Sequence, residues 1–136
     1  MKIGIIVAMD KEYELLQGIQ LPQHELFLVK SGIGKVNAAM CAQVLCSVFG
    51  VSHIVNTGVA GSLCARLDIG DLVISEDAMY HDFTCQDLNP AYVVGQVPGL
   101  AVRAFPADEA LMNLAYVAAD SLCPGHAKIG TVASGD

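Results

Sequence analysis

Apolar and polar positions along this chain alternate between two rhythms. Lys2 is followed by Ile3-Gly4-Ile5-Ile6-Val7-Ala8, a continuous apolar run of strand length. Such a run predicts a strand buried on both faces. Asp10 ends it, and residues 10–18 carry a short helical pattern, with Tyr13, Leu15 and Leu16 inward and Gly18 near its end. Pro22 breaks the chain, and Glu25 to Lys30 returns to a strand through Leu26, Phe27, Leu28 and Val29. After a Ser31–Lys35 turn, residues 35–49 place Val36, Met40, Val44 and Val48 at four-residue steps, the spacing of one helix face. Gly50 stops that helix. Ile54 and Val55 predict a third, very short strand, and Leu72 to Ser75 a fourth after the Gly70-Asp71 turn. Pro106-Ala107-Asp108-Glu109 opens a further helix to about Leu122, because proline and acids suit a first turn. Ile129 to Ala133 is a fifth strand. Strands that alternate with helices predict an α/β fold with a mostly parallel, twisted sheet.

Residues 81–106 break the alternation. They are irregular and rich in turn residues: Asn89-Pro90, Gly95, Pro98-Gly99 and Pro106. A connection of that length inside a compact domain is usually functional or covers something. The fifth strand runs directly into Ser134-Gly135-Asp136, one more strand exit, so the sheet reads as unfinished. The expectation is one incomplete domain over residues 1–136.

Composition sharpens this. Hydrophobic residues make up 54% and charged residues 15%, against about 25% charged in ordinary soluble domains. Either the strands are covered on both faces, or apolar surface awaits a partner subunit or further chain. The net charge is −7 with only 7 Lys and Arg, so no basic run can track a phosphate backbone. Nucleic acid is excluded as a partner on that ground, and an anionic membrane is disfavoured. No run reaches about 18 apolar residues, and no cleavage signature follows the first strand, which predicts a cytoplasmic protein. The five cysteines, at 41, 46, 64, 85 and 123, form no CxxC pair, so neither a disulfide framework nor a zinc site is expected. Cys41 and Cys46 fall on the apolar helix and are expected in the core. His24, His53, His81 and His126 are isolated, without metal-ligand spacing. No metal is expected.

The candidate chemistry sits where strands end. Met9-Asp10-Lys11-Glu12 follows the first strand, at the carboxyl edge where open α/β sheets bind ligands. Glu12 falls in the first turn of a helix, whose positive end favours an ionised carboxylate. It either complements the helix dipole or activates water. Ser31-Gly32-Ile33-Gly34-Lys35-Val36 lacks the spacing and hydroxyl of a P-loop, and Asn37 stands where the third small residue of a dinucleotide fingerprint belongs. Asn56-Thr57-Gly58-Val59-Ala60-Gly61-Ser62 follows the third strand, and its small residues let a ligand approach the backbone. Three such exits predict one shared crevice. Tyr80-His81-Asp82 makes no dyad, since neighbours on an extended segment point apart. No Gly-x-Ser-x-Gly elbow is present.

Taken in order, Lys2-Ile3-Gly4-Ile5-Ile6-x-Ala8-Met9-x-x-Glu12, Ser31-Gly32-Ile33-Gly34-Lys35, Asn56-Thr57-Gly58-x-Ala60-Gly61, Gly70-Asp71, Tyr80-His81-Asp82, Gly95-Gln96-x-Pro98-Gly99 and Ser134-Gly135-Asp136 resemble 5′-methylthioadenosine/S-adenosylhomocysteine nucleosidases of the purine nucleoside phosphorylase fold. The resemblance implies a three-layer α/β sandwich around a central, mostly parallel sheet. It implies hydrolysis of the adenine–ribose bond through a ribosyl oxocarbenium ion, with no cofactor. Glu12 would match the water-activating carboxylate. Met9 would lie beside the ribose and Ile33 beside the 5′-alkylthio group. Val59, Ala60 and Gly61 would line the ribose and adenine site. Cys85, Leu88 and Pro98 would close the 5′ pocket of a neighbouring subunit, which implies a homodimer.

Three departures accompany the resemblance. The family continues past Ser-Gly-Asp with an adenine-stacking segment, a Met-Glu pair for the ribose and an aspartate that protonates adenine. None of these can be placed on this sequence, so the chain as given is expected to be inactive. The stretch from Gly18 to Glu25 is shorter than the family's, which usually has a hairpin there. Val59 stands where the family often has a water-holding serine. The family's phosphorolytic relatives typically carry a Gly-Asp-Pro-x-Arg phosphate loop after the first strand. Ala8-Met9-Asp10-Lys11-Glu12 instead offers carboxylates that would repel phosphate. A futalosine hydrolase of the same fold, and a non-catalytic nucleoside-binding fragment, are the alternatives.

Overall fold

A computed structural model describes residues 1–135. The described chain falls into two compact units, Met1–Gly61 and a second from Ser62 onward.

The first unit holds β1 (Lys2–Val7), α1 (Asp10–Leu16), β2 (Glu25–Lys30), α2 (Lys35–Ser47) and β3 (His53–Asn56). Its strands pair in the order β2-β1-β3, all parallel, with Ile3 opposite both Leu26 and His53. The continuous apolar run therefore becomes the central strand, as burial on both faces requires. Ile6, Leu45 and Val51 form the core, with Phe27, Val29, Cys41, Ala42 and Ile54 packed against it. Leu45 is 1% exposed. A Cβ at Gly4 would lie 2.9 Å from its Cδ1, so the glycine lets α2 settle onto β1.

Two inward assignments, Cys46 and Leu15, need correction. The stripe of Val36, Met40, Val44 and Val48 faces outward, and Leu45 enters the core instead. Four-residue spacing marks a helix face without saying which face meets the sheet. Cys46, next to Leu45 and about 100° further round the helix, is exposed. Leu15 is 84% exposed, whereas Tyr13 and Leu16 are half-buried.

The second unit holds β4 (Leu72–Tyr80), β5 (Ala104–Pro106), α3 (Glu109–Leu122) and β6 (Ala127–Ser134), with sheet order β5-β4-β6. β4 and β6 run parallel from Leu72 opposite Ala127 to Tyr80 opposite Ser134, with an irregularity between Ser75 and Asp77. That bulge lets β4 continue to 9 residues instead of stopping at Ser75. β5 pairs antiparallel with Asp77–Met79 and was not expected. It places Pro106 in a strand, and α3 begins three residues later. Asp108 caps that helix, its side chain accepting the Leu111 N–H at 2.9 Å. Parallel pairing predominates, and the strands resolve into a three-stranded sheet in each unit.

Candidate active site

Because β1, β2 and β3 are parallel, their three exits lie at one edge of the first sheet. β1 leads to Met9 and Glu12, β2 to Ile33, and β3 to Val59, Ala60 and Gly61. Met9 is the extended residue that caps α1, and Glu12 sits in that helix's first turn. From there its side chain turns back over the strand end. Oε2 accepts the N–H groups of Ala8 and Met9, each at 2.9 Å. Oε1 accepts the Val59 N–H at 3.0 Å. The ladder makes the second contact possible: Ile6 pairs with Asn56, and the Thr57 N–H continues the bonding to the Ile6 carbonyl.

These donors fix the charge of Glu12. The Val59 N–H, with those of Met9 and Ala8, holds its carboxyl below the usual range and outweighs the opposing effect of partial burial. An ionised carboxylate offers about four lone-pair directions. Backbone amides fill three here, which leaves one for the O–H of a small molecule. The other acid of the motif is engaged elsewhere, since Asp10 pairs with Lys30 at the end of β2.

The structure joins Met9, Glu12 and Val59 through hydrogen bonds. Ile33, Ala60 and Gly61 share the edge by topology. Ile33 and Val59 are largely exposed, and the Ile33 carbonyl is held by the Asn37 amide at 2.7 Å. The Ala8 N–H donor was missed by sequence reasoning, and no letter could have signalled it, because every residue but proline carries an amide.

Cys85, Leu88 and Pro98 belong to the second unit. The Leu88 and Asn89 N–H groups close a turn on the Cys85 carbonyl, and Leu88 is exposed. Pro98 lies in a turn closed by the Leu100 N–H on the Val97 carbonyl. At the exit of β4, the His81 N–H bonds the Ser134 carbonyl at 3.1 Å. Asp136 lies outside the described residues. Among the described residues no group of three or more His, Cys, Asp or Glu could hold a metal ion. Among them, too, no helix is long and apolar enough to cross a membrane.

Comparison with known proteins places this geometry. A model of the phosphorylase superfamily matches residues 11–136. The 5′-methylthioadenosine/S-adenosylhomocysteine nucleosidase of Geobacillus thermodenitrificans is 40% identical over 153 aligned positions, covering 100% of this chain and 64% of that protein. Among solved structures, the Neisseria meningitidis nucleosidase in complex with methylthio-immucillin-A matches with a TM-score of 0.90 at 32% identity, covering 99% of this chain and 64% of that one. Futalosine hydrolase of Helicobacter pylori matches with a TM-score of 0.87 at 29% identity, over 100% of this chain and 64% of that one. The chain thus spans just under two thirds of the length of these relatives, and its fold is the α/β, mostly parallel fold they share.

Proposed function

We propose that this chain, which belongs to the phosphorylase superfamily, carries the water-positioning part of a purine nucleosidase. Its reaction is hydrolysis of the N-glycosidic bond of 5′-methylthioadenosine and S-adenosylhomocysteine, with release of adenine. The observation that supports this is the Glu12 carboxylate, held ionised by three backbone N–H groups at the strand exits. A fixed anion at that point repels phosphate and accepts an O–H, which favours water over phosphate as nucleophile.

As the C1′–N9 bond lengthens, positive charge gathers on the ribose ring. The Glu12 carboxylate lies on the side where water must approach. It orients one O–H, and it takes that proton as the new C1′–O bond forms. The bonding pair of C1′–N9 leaves with adenine, which takes up a proton from solvent. Met9 stands beside the ribose, Ile33 beside the 5′-alkylthio group, and Val59, Ala60 and Gly61 along the ribose and adenine. Their apolar exposure at one edge supports this placement. The loop with Cys85, Leu88 and Pro98 closes the 5′ pocket of a second subunit in a homodimer. The outward apolar stripe of α2 supports a partner of that kind. We read residues 1–136 as one incomplete domain of a cytoplasmic enzyme that needs no cofactor.

The test is adenine release from methylthioadenosine and adenosylhomocysteine by the natural gene product. Release from both is expected, and release from neither overturns the reading. A second reading, futalosine hydrolysis, is supported by the likeness to the H. pylori enzyme. Competition between the two nucleosides for one preparation separates them.

A further inference from the structure

We infer that Gly58 is a positioning residue for Glu12, so that the Gly58-Val59 peptide sets the aim of the carboxylate. The inference rests on the reading of Glu12 given above and extends it to a residue that touches no substrate.

Glycines at strand exits are usually required by the backbone. Gly32 and Gly34, in the turn after β2, have φ of +86° and +101°, which L side chains rarely adopt. Gly58 is different, since it is not among the glycines with positive φ. Its backbone would accept alanine without strain. The obstacle is one side chain. A Cβ built on Gly58 would lie 2.5 Å from Oε1 of Glu12, 3.0 Å from its Cδ and 3.3 Å from Oε2. All three nearest atoms belong to the carboxylate. Gly61, in the same loop, has nothing within 4 Å of such a Cβ.

The missing side chain therefore makes room for the carboxylate rather than for the turn. It lets Glu12 lie against the loop backbone, close enough for Oε1 to take the Val59 N–H at 3.0 Å. That bond is the foremost cause of the carboxylate's acidity. A Cβ at 58 pushes the flexible end of Glu12 aside and breaks that bond. The carboxylate then loses its fixed direction and part of its acidity. The main chain is not disturbed.

The experiment is Gly58→Ala, read in two ways. Carbon NMR of the Glu12 carboxyl is expected to show its titration midpoint moving up, toward the ordinary glutamate value. Turnover of the natural gene product is expected to fall on the order of a hundredfold, the scale of an ångström-sized misplacement, with KM little changed. Shortening the acid makes room again, because aspartate reaches about 1.5 Å less far. Gly58→Ala and Glu12→Asp together should thus cost less than the sum of the two single changes. Should Gly58→Ala fail to fold, removing the obstructing group with Glu12→Ala in the same chain restores folding. An unmoved titration midpoint, strict additivity, or misfolding that Glu12→Ala does not relieve overturns the inference. If the wild-type protein releases no adenine, the nucleosidase reading fails, and the titration alone still decides whether Gly58 positions Glu12.

Discussion

Glu12 in the first unit and Asp71 in the second are two carboxylates whose acidity is raised by the same means, at opposite ends of their sheets. Glu12 lies beyond the carboxyl ends of β1 and β3 and accepts three backbone N–H groups. Asp71 lies just before the amino end of β4. It accepts the Asp68 N–H at 3.0 Å and meets the His126 ring at 2.8 Å, beside the start of β6. Both carboxyls are held below the usual range, Glu12 first by the Val59 N–H and Asp71 first by the Asp68 N–H with His126 next. A lowered pKa alone therefore does not mark a site. Placement does: one acid stands where parallel sheets present ligands, and the other ties two strand starts together.

The sharpest way to break this contrast is Glu12→Gln in the natural gene product. The amide keeps the shape and part of the hydrogen bonding but cannot take a proton. Turnover is expected to fall by about a hundredfold to ten-thousandfold, the usual contribution of a general base, while nucleoside binding persists in a direct titration. Undiminished turnover removes Glu12 from the chemistry and leaves it as a helix-dipole acid.

The next test asks whether the first unit's packing holds its site. Leu45 is fully enclosed between α2 and β1. Leu45→Ala should cost about 2–5 kcal/mol of stability, measured by denaturant unfolding. Val44→Ala, one position along on the outward stripe, should cost far less in the monomer. Equal losses would place the stripe in the core. A smaller effect belongs to the second unit, where Asp108 caps α3. Asp108→Ala should cost about 1 kcal/mol and leave turnover untouched.

Legibility in the sequence divides along the same line. The strands of the first sheet were visible because β1 and β2 hold continuous apolar runs and β3 holds Ile54-Val55, α2 because its apolar spacing is helical, and α3 because proline and acids mark its first turn. β5 was not visible. It is 3 residues long and exists through pairing with Asp77–Met79, a non-local gain that local composition does not encode. The full length of β4 was hidden by Glu76 and Asp77, polar residues at the bulge that read as a strand end. At the site, a strand exit followed by an acid announced Glu12. What holds it did not show, because amide donors leave no mark on residue type. Gly58 stood inside a legible motif. Only the built Cβ separates its purpose from that of the turn glycines around it.

The smallest expected effect sharpens the comparison from the other side. The native Asp71 carboxyl is more acidic than in the unfolded chain. Its contribution to stability is therefore present above the unfolded value of about 3.9 and is lost as pH falls through the lower folded one. Asp71→Asn should lower the melting temperature slightly at neutral pH, and the gap from wild type should close below about pH 4. Because the His126 side of the pair is largely exposed, added salt should narrow the gap as well. Turnover at pH 7 should not move. If Asp71→Asn abolishes turnover while the melting curve stays put, the two carboxylates share a role and placement at the ligand edge no longer separates them. If it shifts only the melting curve, and only above the acid range, the acidity of Asp71 serves strand anchoring, and placement still separates it from Glu12.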